Sequence, residues 1–175
     1  MTSPNEITQA AAYQESLLDA LGGDDPAVAQ ATTSAAIRTL VAEAGSDLRT
    51  RPKPGEWSVL GCIDHIVDGE LVMAARYRWI IAHDEPEIVG YDQDLWVDRL
   101  HADDDPEALL AFFDALRTAN LALWAQTTAV ERARVGLHRE RGRESLDLMF
   151  NMIGGHDRIH LAQARRTLEA VRARR

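Results

Sequence analysis

The sequence predicts an all-α fold in a single domain spanning residues 1–175: a bundle of four main helices with a short extra helix at the N-terminus. Three observations carry that reading. Apolar residues recur at steps of three and four along separate stretches. Helix-starting residues stand before two of them, at Ser58 and at Asp105-Pro106. Clusters of Pro and Gly break the chain between them, at Gly22-Gly23, at Pro52 to Gly55 and at Pro86 to Gly90.

Residues 6–21 read as a helix stopped by Gly22-Gly23, making residues 1–24 an N-terminal arm. A second helix starts at Asp25-Pro26 and runs to Ala44. Ile37, Leu40, Val41 and Ala44 fall at core spacing, so its second half is the first bundle helix. After a proline-rich loop, Ser58 caps a helix reaching about Ala82. One of its stripes, Leu60, Ile63, Val67, Leu71 and Ala74, is wholly apolar; beside it lies Cys62, His65, Gly69, Val72, Arg76 and Trp79. His65 therefore sits at the edge of the core, where a pocket could open. Residues 83–105 form an irregular acidic crossover ending in Asp103-Asp104-Asp105. A connection this long in a compact domain is usually functional or mobile. The next helix packs Leu109, Phe112, Phe113, Leu116, Asn120, Leu123 and Trp124 inward, and residues 127–143 lead back to Ser145.

The last helix holds the most informative pattern. Leu146, Met149, Ile153, His156, His160, Ala164 and Thr167 share one face, so two imidazoles occupy core positions that would ordinarily hold Leu. Histidines four residues apart on a helix can reach one divalent metal, as zinc-peptidase helices do. A peptidase helix, however, carries Glu directly after its first His, and here that position is Asp157. His65, on another helix, supplies a third imidazole. Three histidines from two helices make an open site with room for water or substrate. The competing reading is that each is a core histidine satisfied by a hydrogen-bond partner.

Composition narrows the function classes. The net charge of −9 argues against duplex DNA binding, which requires a basic face. Arg132, Arg134, Arg139, Arg141 and Arg143 do cluster, and read as an exposed loop or as a lure for an anionic substrate. No stretch reads as a membrane span or a signal peptide, and the single cysteine, Cys62, suits a reducing compartment, so a cytoplasmic location is expected. Three residues before His65, Cys62 is either a buried apolar residue or a thiol facing the site.

Arg51-Pro-Lys-Pro-Gly-Glu-Trp57-Ser58 followed by His65 and Glu70, and Gly142-Arg-Glu-Ser145 leading to His156-Asp-Arg-Ile-His160-Leu-Ala-Gln163, together resemble the DinB-like superfamily over roughly residues 15–170. The resemblance implies an up-down-down-up four-helix bundle and a divalent metal held by His65, His156 and His160. It also implies that the crossover joins two parallel helices and covers the metal, with Tyr91 and Trp96 as lid or packing residues. Gly61 and Gly154-Gly155 depart from the family pattern, either making room near the metal or bending a helix. Asp64, Glu70, Asp157 and Gln163 are candidates to orient the imidazoles; no catalytic residue is assigned.

Members of that family include transferases using thiols such as mycothiol or bacillithiol. The first expectation is accordingly a metal-dependent S-transferase acting on a small molecule with a low-molecular-weight thiol cosubstrate. A metal-dependent hydrolase is the alternative. A third reading is a non-catalytic metal- or ligand-binding stress protein, with a homodimer as one form. The donor set suits zinc, nickel, iron or manganese, and neither nucleic acid nor membrane is expected as a partner.

Overall fold

The computed structural model describes residues 4–101 and 104–174, with side chains from residue 11 onward. Asp103 of the acidic run and the terminal Arg175 lie outside the described residues. The chain forms α1 (Pro4–Leu21), α2 (Pro26–Ala31), α3 (Thr33–Ala44), a short 3-10 turn (Gly45–Asp47), α4 (Val59–Ala82), β1 (Glu87–Ile88) and α5 (Gln93–Leu100). There follow α6 (Pro106–Gln126), α7 (Ala129–Arg132), β2 (Val135–His138), β3 (Gly142–Ser145) and α8 (Leu146–Arg172).

The helix starts follow the expected chemistry. Asp25 accepts from the N–H groups of Ala27 and Val28 ahead of Pro26. Ser58 accepts from Gly61, and Ser145 from Leu148.

Side-chain pairings fix the direction of each helix. Thr33 meets Asp157 while Arg172 reaches the Glu43 carbonyl, so α3 and α8 run parallel. Gly69 faces His156 while Tyr77 faces Phe150, so α4 runs against α8. Glu70 meets Arg117 while Tyr77 and Ile81 line one crevice with Trp124 and Thr127, so α4 and α6 are parallel. The result is an up-down-down-up bundle.

Two apolar clusters fill the bundle. One centres on Ile37, Leu40, Ile63, Ile66, Leu110 and Phe113, the other on Tyr77, Ile80, Met149 and Phe150. Between them lies a polar layer drawn from all four helices. Arg117 contacts Glu70 at 2.9 Å and Asp157 at 2.8 Å. It also donates to the Gln30 carbonyl, while Thr33 donates to Asp157 and Asn120 to Glu70. Burial pushes the Glu70 carboxyl up, whereas Arg117 holds Asp157 below its ordinary range despite equally deep burial.

The connections hold more structure than their sequence suggests. β1 pairs parallel with β2, and β2 antiparallel with β3, as a three-stranded sheet in register Ile88↔His138 and Leu137↔Arg143. Strands of two and four residues are too short for a period-two pattern to emerge. Likewise, α5 interrupts what reads as irregular crossover, started by the Asp92 side chain.

The N-terminal helix, α1, lies along α8. Arg158 of α8 donates to the carbonyls of Ala20 and Leu21 and pairs with Asp24, closing the C-terminal end of α1. Gly155 is what lets the two helices meet. A Cβ there would stand 1.7 Å from the Leu17 carbonyl oxygen. Gly155 does make room, but for the backbone of α1 and not near the metal as one of the two readings had it.

Candidate metal centre

The structure brings His65, His156 and His160 together. All three are buried, one ligand nitrogen from each lies within 4.8 Å of the others, and ring centroids are 4.4 to 4.8 Å apart. The local fold explains the convergence. His156 and His160 are one turn apart on α8, and His65 faces them from the antiparallel α4 because Gly69, one turn on, has no side chain. A Cβ on Gly69 would stand 3.2 Å from the His156 ring.

The donor set fits a divalent ion. Burial, reinforced by the neighbouring imidazoles, lowers the pKa of His65 to about 2 and that of His160 to about 4, so both rings stay neutral with a lone pair to offer. Nε2 of His65 and Nε2 of His156 face each other at 2.9 Å. Imidazole nitrogens bound to one tetrahedral zinc at ~2.0–2.1 Å sit roughly 3.4 Å apart, so the observed spacing needs little adjustment. His160 Nδ1 is 2.9 Å from Gln163 Oε1, which fixes the Nδ1–H tautomer and leaves Nε2 as the ligand atom.

The acidic neighbours divide differently from expectation. Gln163 does orient an imidazole. Asp157 is bound to Arg117 and Thr33 through one oxygen; the other, without a partner, lies 3.9 Å from the equally unpartnered Nδ1 of His156. Glu70 belongs to the polar layer. Asp64 is buried and faces the crossover, grouped with His101 and Asp104. Burial pushes its carboxyl up to about 7. His101 bonds Asp68 through Nε2 and Asp104 through Nδ1, so it clasps the crossover to α4 with both ring nitrogens occupied.

Cys62 is the buried apolar residue of the two readings. Burial pushes its thiol up to about 12, and the side chain contacts Thr167 within the core cluster. Trp57, expected as part of the lead-in to α4, packs its ring 5.0 Å from His65 and 6.0 Å from His160.

A cavity of about 460 Å³ opens beside His65 and His156. Its walls include Tyr13 and Leu17 of α1, Met73 and Arg76 of α4, Tyr91 before α5, and Arg141 of the β2–β3 turn. Tyr91 lies 6.4 Å from the His65 ring and packs on Trp96 at 4.5 Å, so this pair both anchors the crossover and covers the site. Burial raises the Tyr91 phenol well above its ordinary value, which keeps it a hydrogen-bond donor. Tyr13 and the role of Arg76 are parts of the site that sequence reasoning missed, whereas Arg141, one of the clustered arginines, does reach the cavity wall. Arg76 does lie on the His65 stripe, but the turn closes onto it only through the sheet.

A sequence model of the DinB superfamily matches residues 27–164. A protein of Oceanobacillus iheyensis named "Putative metal-dependent hydrolase" is 25% identical over 115 residues, which is 66% of this chain and 67% of that protein. Among solved structures, YfiT from Bacillus subtilis, described as "a probable metal-dependent hydrolase with an unusual four-helix bundle topology", superposes with a TM-score of 0.71. It is 20% identical, with 99% of this chain and 90% of that chain covered, a likeness of fold. With the family model reaching all four bundle helices and covering all three histidines, the chain belongs to the DinB superfamily.

Proposed function

We propose that the protein is a metal-dependent hydrolase of small molecules, with His65, His156 and His160 holding one divalent ion beside the cavity. The observation that carries this reading is the convergence of three buried imidazoles, from two helices, at the edge of a space of about 460 Å³. That size suits a small ligand rather than a polymer. The names of the two relatives speak for hydrolysis, so it ranks ahead of thiol S-transfer. No residue of the cavity singles out a thiol cosubstrate.

A bound divalent ion would supply Lewis acidity, lowering the pKa of water and polarising a substrate oxygen. The chain's own groups do the rest. Gln163 holds His160 in the ligating tautomer. Tyr91 offers a phenol hydroxyl to a substrate oxygen from the side facing His65, and Leu17, Met152 and Ile153 exclude bulk water. Of the buried acids near the histidines, Glu70 and Asp157 pair with Arg117 and Asp64 faces the crossover, so none is assigned as a dedicated carboxylate base.

The test is metal content by mass spectrometry for untagged protein and for His65→Ala and His156→Ala, with ester and amide hydrolysis followed before and after chelation. About one equivalent of metal, lost in both variants, with hydrolysis that chelation abolishes, is the expected result. No uptake of zinc, nickel, iron or manganese, and no change in melting on adding them, would overturn it.

A further inference from the structure

The end of the cavity away from the histidines holds a buried cation without a counter-charge. Arg76 is 4% exposed and lines the cavity. Its Nη2 donates to the Val89 carbonyl, its Nε has no hydrogen-bond partner, and no carboxylate among the described residues forms an ion pair with it. A buried guanidinium left in that condition is costly. The neighbouring acid is already taken: Glu144 is gripped by Arg141 through both oxygens and also accepts from Gln14.

A second orphaned donor lies close by. His138 Nδ1 accepts from the backbone N–H groups of Glu140 and Arg141, so the proton sits on Nε2, which is buried and has no partner. Its ring lies 3.6 Å from where a Cβ on Gly90 would be, and Gly90 is a wall of the cavity. Two unsatisfied buried donors and one uncompensated positive charge call for an anion. Arg141 is neutralised by Glu144 and Glu140 at the lining is open to solvent, so among the buried groups Arg76 leaves one positive charge for a single negative charge to match.

We propose that the substrate carries a carboxylate that pairs with Arg76 while its apolar body runs along α4 towards His65. This rests on the hydrolase reading for the reacting end of the molecule, but the carboxylate subsite stands on Arg76 alone. His65, Gly69, Val72, Met73 and Arg76 form one stripe of α4 along the cavity. The first and last Cα positions lie about 16 Å apart along the helix axis, so the occupant is elongate. Arg76 is a binding residue here and takes no part in bond cleavage.

The experiment is calorimetric titration of hexanoate and of hexanamide into chelator-treated and zinc-loaded protein, wild type and Arg76→Met. Hexanoate should bind the metal-free wild type at least about tenfold more tightly than hexanamide, and Arg76→Met should erase that preference. Equal binding of acid and amide to the wild type would overturn the proposal, even if the variant fails to fold. So would a carboxylate preference seen only with zinc and unchanged in Arg76→Met, which would mean that the metal takes the acid. Absence of zinc binding with the Arg76-dependent preference intact would sink the metal centre and leave the subsite standing.

Discussion

Nε2 of His156 and Nε2 of His65 approach to 2.9 Å across the α4–α8 interface, while Nδ1 of both rings is buried without a partner. One proton between the two Nε2 atoms satisfies a single hydrogen bond. An ion between them uses both lone pairs and draws in His160. The apposition is the part of the core in which a polar bridge replaces aliphatic packing.

Replacing Gln163 by Leu frees the His160 tautomer without touching a ligand atom. Zinc affinity should fall about 10–100-fold, read by competition with a chromophoric chelator, while metal-free melting changes little. An unchanged affinity would show that Gln163 does not orient the ring.

Zinc binding should tolerate mild acid. His65 and His160 are held neutral down to about 2 and 4, so protons compete poorly for them. Two imidazoles of ordinary pKa near 6.5 would together lose roughly a hundredfold in affinity at pH 5.5. The folded protein should lose less than about tenfold for those two ligands, and a hundredfold fall between pH 7.5 and 5.5 would contradict the depressed values.

Asp64 gives the opposite sign. Its folded pKa, about 7, lies above the unfolded value, so the stability it contributes is present at low pH and is lost as pH rises through 7. Asp64→Asn should leave metal-free stability nearly unchanged at pH 4. At pH 8.5 it should raise stability, by on the order of 2 kcal/mol. Urea midpoints at the two pH values decide it, and a variant equally stable relative to wild type at both would show that Asp64 is charged in the fold.

Arg117 joins Glu70, Asp157 and the Gln30 carbonyl. Arg117→Met strands two buried carboxylates and should cost about 3–5 kcal/mol. Adding Glu70→Gln and Asp157→Asn should recover most of that loss. If the triple variant is no more stable than the single one, packing rather than charge is what Arg117 provides.

Gly155→Ala sets two effects against each other. Alanine favours a helix interior by about 1 kcal/mol, but its methyl would overlap the Leu17 carbonyl. Net destabilisation, with faster proteolysis within residues 4–24, is expected. A stabilised variant would mean that α1 does not rest on α8 in solution.

The bundle was legible because four long amphipathic stretches repeat at helical period, and the three histidines because imidazole is out of place on an apolar face. His65, His156 and His160 needed no tertiary knowledge beyond which face points inward. The polar layer was less visible. Glu70 and Asp157 can be read as partners of imidazoles, yet a buried guanidinium from α6 outcompetes the neutral rings for both, and nothing local to Arg117 announces that. The sheet was invisible for a different reason. Ile88 and His138 come into register only after the crossover and the turn are brought together by the bundle.

The family match begins at residue 27, whereas Tyr13 and Leu17 of the cavity wall come from α1, seated through Gly155. Part of the cavity wall is thus carried by segments that hold no histidine, while Arg76 shares α4 with His65. A relative could exchange its first helix, together with the turn around Arg141, and acquire a new substrate range while every histidine ligand stays where it is.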